Sequence, residues 1–258
     1  MSGLFYDLPV LWMTVVVVAG TAVVNGIIFR TVFSLATAER RPAFKLVSPV
    51  MLTPLAVVFG LIVGFLAAQV WSDAEHANAA VTREAGALDT VVLLTTSFPG
   101  ETGKRVRALV RQHIEDAVAR EWPAMARQDR TLAMLTTADT EAIELILSIV
   151  PAGNAQTIAQ REMIDAFRTA LDARRERIII SRSKINWVKW TVVLVLGGLI
   201  LATVAIVHCD NRLTAGLAMS LFSTGVVACV VLIASHNRPF TGEISVSPEL
   251  LVRVMPAQ

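Results

Sequence analysis

Four stretches of this chain carry no charged side chain over a length that reaches across a lipid bilayer, and no motif constrains its fold more. The uncharged runs are Leu8 to Phe29, Val50 to Trp71, Trp190 to Val207 and Leu213 to Ser235. At about 1.5 Å of rise per residue, roughly 20 helical residues cross the ~30 Å hydrocarbon layer. The predicted transmembrane helices are therefore 8–29, 50–71, 188–207 and 213–235. A cleaved signal peptide is the rival reading of the first run. No Lys or Arg precedes Arg30, so the basic leading region is missing and the run is expected to remain as a span. Composition agrees: 54% of the 258 residues are hydrophobic, more apolar surface than a soluble domain of this length can hide. A net charge of +2 gives no case for a nucleic-acid partner. Cys209 and Cys229 stand apart from any ligand-like spacing and read as small apolar residues.

The charge is concentrated between the second and third spans, and residues 72–186 are expected to form a helical domain outside the membrane. Val106, Leu109, Val110, Ile114, Ala117 and Val118 recur at three and four, the period of a helix with one buried face. Pro99 and Gly100 punctuate before that helix, and Trp122 and Pro123 are expected to close it. A second helix is expected over about 140–150, and a third with Ile158, Ile164, Phe167, Leu171 and Ile178 on its buried side. No Pro or Gly lies between Ala155 and Leu196, which predicts a helix running unbroken into the third span. Near the span ends, Arg30, Arg40, Arg41, Lys45 and Arg212 lie on one side. Nine basic residues lie on the other: Arg83, Arg174, Arg175, Arg177, Arg182, Lys184, Lys189, Arg238 and Arg253. This asymmetry predicts cytoplasmic termini (the tail being 236–258) and a cytoplasmic helical domain. The basic run from Arg174 to Lys189 reads as an anchor on anionic headgroups.

No catalytic constellation appears. His76, His113, His208 and His236 have no partners at metal-ligand spacing, and Gly100, Gly103 and Lys104 are too closely set for a phosphate loop, so a turn is expected there. Neither a cofactor nor an enzymatic activity is expected. Thr14, Thr21, Asn25, Ser220, Ser223 and Thr224 fall within spans, where interhelical hydrogen bonding is the usual role; a pore-lining role is the alternative for Asn25. The second span carries the most information. Thr53, Val57 and Leu61 follow one another at spacing four on one helix face, and Gly60 and Gly64 remove bulk where a neighbouring helix can approach. Periodicity alone favours bundle core over a pore wall for that face.

The run from Pro54 through Gly60 and Leu61 to Trp71 resembles the neck-forming helix of bestrophin channels. Three further blocks are similar to the bacterial bestrophin-like family of four-span membrane proteins: Glu84 to Phe98, Arg120-Glu121-Trp122, and Arg238-Pro239-Phe240-Thr241-Gly242-Glu243-Ile244. Pro239, Phe240 and Gly242 are the most specific of these. The resemblance implies an all-α membrane protein with four transmembrane helices and a helical cytoplasmic domain between spans 2 and 3. It further implies a homo-oligomer, specifically a pentamer, around a central pore. Thr53, Val57 and Leu61 would form its neck, shaped by Pro54, Gly60 and Gly64. True bestrophins carry bulky Ile and Phe at the neck, so selectivity does not transfer with the fold. The second span is expected to continue through Asp73, Glu75 and His76. Side chains facing the axis would form an acidic ring in a cytoplasmic vestibule, a slight lean towards monovalent cations, whereas side chains facing neighbouring helices would be ordinary solvated charges, the reading favoured for them. The expected partners are the lipid bilayer, inorganic ions and further copies of the chain; a non-conducting scaffold or sensor that binds a partner through its cytoplasmic helices is the alternative.

Overall fold

A computed structural model of the chain describes residues 8–37, 39, 42, 44, 49–128, 136–183 and 185–257. Arg40, Arg41, Lys45 and Lys184, used above to orient the spans, lie outside the described residues. Among those described there is no strand. The helices are α1 (Val10–Leu35), α2 (Leu52–Leu94), α3 (Glu101–Asp116), α4 (Trp122–Ala126), α5 (Thr137–Ser148), α6 (Asn154–Ser181), α7 (Trp187–Val207), α8 (Arg212–His236) and α9 (Glu249–Arg253). The chain divides into two compact units, Met1–Trp71 with Lys184–Asn237 and Ser72–Ser183 with Arg238–Gln258.

In the first unit, α1, the leading part of α2, α7 and α8 are each long and apolar enough to cross a membrane. Helix satisfies every backbone polar group within the segment, which hydrocarbon requires. α7 and α8 pack together across the turn at residues 208–211, and α1 packs on both. Asn211 accepts the first amides of α8 through its side chain, a cap that fixes where the helix starts. Phe59 of α2 enters this core, its ring 5.9 Å from that of Phe222 and against the bare backbone of Gly197. Large apolar side chains still cover the outside of these helices, as a lipid-facing or partner-facing surface demands.

The second unit has a conventional buried core. On α2, Ala77, Val81, Glu84, Leu88 and Val91 form one buried stripe, alternating in steps of four and three. On α6 the corresponding stripe is Met163, Phe167, Ala170, Arg174 and Arg177. Ile158 is 61% exposed; Met163 and Ala159 take the inward positions expected of it. α5 begins three residues before the expected Thr140 because Thr136 and Asp139 form a reciprocal capping box.

Further sequence expectations fail: the turn expected over Gly100, Gly103 and Lys104 is confined to Pro99 and Gly100, because α3 already begins at Glu101. The unbroken helix from 155 into the third span does not form: α6 ends at Ser181 and α7 begins at Trp187. Asn186 caps α7 by accepting from the Val188 amide, and Asn237 accepts from the Ile185 amide. These side chains give the backbone partners outside a helix, so neither Pro nor Gly is needed for the break. Trp122 and Pro123 do not close α3 either. A π-helical turn over Ala117–Glu121 carries the chain into α4, with Pro123 in its first turn, where a missing amide hydrogen costs nothing.

Candidate functional site

The α2 face singled out by its spacing points away from the protomer's own core. Val57 is 62% and Leu61 59% exposed, and Thr53 and Pro54 are exposed beside them. The bundle-core reading favoured by periodicity therefore does not hold within the protomer. Gly60 and Gly64 have open space where a side chain would stand, so no helix among the described residues uses the relief they offer. Farther along α2, Asp73 is half-buried and accepts a hydrogen bond of 2.9 Å from the Ser183 hydroxyl. Glu75 and His76 are exposed. Two described hydrogen bonds join polar side chains of different spans: Asn25 donates to Ser223 Oγ at 2.6 Å, and Lys189 of α7 donates to Gln69 Oε1 of α2 at 2.6 Å. Thr14, Thr21 and Thr224 instead bond back to carbonyls four residues earlier on their own helices.

A second constellation, which spacing did not bring together, lies in the core of the second unit. Glu84 from α2 receives Arg177 Nε at 2.8 Å and Arg177 Nη2 at 3.0 Å. The same guanidinium donates to Glu121 Oε2 at 2.9 Å and lies 4.5 Å from the Trp122 ring centroid, a cation–π contact. Arg174 Nε donates to Glu121 Oε1 at 2.8 Å, and Arg174 also lies 3.7 Å from Asp139. His113 from α3 completes the circuit, with Nδ1 2.8 Å from Asp139 Oδ1 and Nε2 3.0 Å from Glu84 Oε1. All six side chains are buried. Arg174 and Arg177 are therefore not headgroup anchors, which corrects the reading of that basic run and leaves seven of the nine orienting residues (9 − 2 = 7). Burial pushes the Glu84 carboxyl up, but the charge of Arg177 and hydrogen bonds from His113 and Arg177 hold it below the ordinary carboxylate range.

Beside this network lies the terminal signature. Phe240 is buried edge-to-face on Trp122, their ring centroids 5.7 Å apart. The Trp122 indole donates to the Val246 carbonyl at 3.0 Å, the Thr241 hydroxyl donates to the Ala126 carbonyl at 2.8 Å, and the Val246 amide donates to the Pro239 carbonyl. Gly242 has φ +90°, a conformation that disfavours any side chain. The three blocks that carried the sequence resemblance thus meet around Glu84, Glu121, Trp122 and Phe240. The described residues contain no grouping of His, Cys, Asp and Glu able to hold a metal ion.

The described residues are helical without strands, and four of their helices are apolar and long enough to span a bilayer, the character of an integral membrane protein. The family model of the Bestrophin-like domain matches residues 16–251, and the chain belongs to that family. Among solved structures, a bacterial bestrophin homologue from Klebsiella pneumoniae, phased through zinc, has 11% sequence identity and a TM-score of 0.72 to this chain. That match covers 92% of this chain and 96% of the homologue. A variant of the same homologue matches equally well. Another structure, of a membrane protein variant, is 10% identical with a TM-score of 0.71, over 92% of this chain and 96% of its own. At such identities the likeness shows the fold. No curated protein matches the sequence.

Proposed function

We propose that the chain is the protomer of an oligomeric ion channel in which the Thr53, Val57 and Leu61 face of α2 lines a narrow apolar neck. The observation that carries this reading is the exposure of that face in a chain of bestrophin-like fold. Val57 and Leu61 cannot be satisfied by the protomer's own packing, and Gly60 and Gly64 leave room for close approach by another helix. A pentamer brings five copies of α2 around one axis. The neck excludes water when closed, because an apolar ring offers it no hydrogen bonds. Residues 72–186 and both termini lie on the cytoplasmic side of a bacterial inner membrane, in keeping with the basic excess there. Glu75 is the acidic side chain available to a vestibule, since Asp73 is engaged by Ser183, and this leans selectivity towards monovalent cations. The protein acts on inorganic ions and is not an enzyme.

Unitary currents from purified protein in a planar bilayer test the reading. Discrete openings with a cation-biased reversal potential in a salt gradient are expected. A reconstituted, folded protein that never conducts would contradict it and favour the scaffold reading.

A further inference from the structure

The buried network of the second unit contains three carboxylates, Glu84, Glu121 and Asp139, and two guanidiniums, Arg174 and Arg177. The sixth member decides the balance. Both ring nitrogens of His113 lie within hydrogen-bond distance of a carboxylate oxygen, and an ionised carboxylate only accepts. Glu84 is already held by the Arg177 fork, and Asp139 Oδ2 accepts the Thr136 amide at 2.8 Å. Both imidazole nitrogens must therefore donate, which requires the imidazolium and brings the six charges to three of each sign.

We propose that protonated His113 is a latch that ties α3 to α2 through Glu84 and to α5 through Asp139, and that losing its proton frees α5 from the core. The groups facing the ring are Glu84 on α2 and Asp139 on α5, with Arg174 and Arg177 of α6 and Glu121 of the π-helical turn behind them. The Phe167 ring lies edge-on, 6.3 Å away. A neutral ring has one donor. One nitrogen would then face a carboxylate lone pair, and the buried cluster would hold one uncompensated negative charge, a state that burial disfavours. Asp139 is also the acceptor of the α5 capping box, so the same event removes the polar tie between the start of α5 and α3 and loosens the first turn of α5, while Ala142 and Ile146 keep their apolar packing farther along.

The titration agrees in sign. Burial alone lowers the imidazole, but hydrogen bonds to Asp139 and Glu84 and their charges outweigh it and raise the ring from 6.5 to about 9. A native value above the unfolded one gives stability that is complete below pH 6.5 and is lost as pH climbs through about 9.

The test uses the full-length protein in lipid nanodiscs, with thermal midpoints and hydrogen exchange followed from pH 6 to pH 10. Wild type is expected to lose about 5 °C or more over this range and to lose α5 amide protection beyond the intrinsic rise in exchange. His113→Gln, which cannot titrate, should have a flat profile. Asp139→Asn, which removes one carboxylate from the ring, should show the loss beginning at least about one pH unit lower. If His113→Gln does not fold, 15N resonances of the wild-type imidazole decide directly, both nitrogens bearing hydrogen at pH 8. A neutral ring at pH 8, a flat wild-type profile, or identical profiles for wild type and Asp139→Asn would overturn the proposal.

Discussion

Arg177 bridges two carboxylates that would otherwise repel each other in the core, and its guanidinium also covers Trp122. Arg177→Met keeps much of the volume but leaves Glu84 and Glu121 without that cation. Removing one partner of a buried pair typically costs about 3–5 kcal/mol, and a correspondingly lower thermal midpoint is expected. Asp139 responds to acid in the opposite sense from His113. Burial raises its carboxyl, but the hydrogen bond and charge of His113 and the bonds to Thr136 bring it down to about 2. Its contribution is therefore complete above its ordinary value of 3.8 and lost as pH falls through about 2; acid unfolding of Asp139→Asn should be less steep there than that of wild type. The sequence held a signal for this cluster that spacing searches for metal ligands pass over. Glu84, His113, Arg174 and Arg177 each occupy an inward position of an otherwise apolar helical stripe. A charge at such a position needs a buried partner, although only the fold decides which one.

Helices whose boundaries depend on composition were legible, and those whose boundaries depend on particular side-chain bonds were not. The apolar spans and the stripe of α3 follow from length and period alone. The break between α6 and α7 depends on Asn186 and Asn237 accepting backbone amides, and the second of these arrives from 52 residues away. The passage from α3 into α4 depends on a π-helical turn that has no simple sequence mark. At the start of α3, a side chain at Gly103 would meet the Phe98 carbonyl oxygen at 2.4 Å and that of Thr95 at 2.9 Å. Both are backbone atoms that cannot rotate away. Gly103→Ala is therefore expected to cost about 1–3 kcal/mol, read as a lower thermal midpoint, whereas Gly86→Ala, with open space around it, should be neutral or slightly stabilising.

For the whole molecule, the sequence resemblance reached the family, while the assembly and its orientation rest on the proposal. Single cysteines at positions 2 and 258, which lie outside the described residues, in a background lacking Cys209 and Cys229, should both resist an impermeant thiol reagent in intact cells. Labelling of either from outside would reverse the orientation. Val57 tests the central claim most directly, because it lies midway along the proposed neck and is exposed on the protomer. Shrinking an apolar ring lowers the barrier to a hydrated ion, and polar groups lower it further. Single-channel conductance of wild type, Val57→Ala and Val57→Asn, measured beside their thermal midpoints, should rise in that order with little loss of stability. Unchanged conductance in both variants would remove Val57 from the pore.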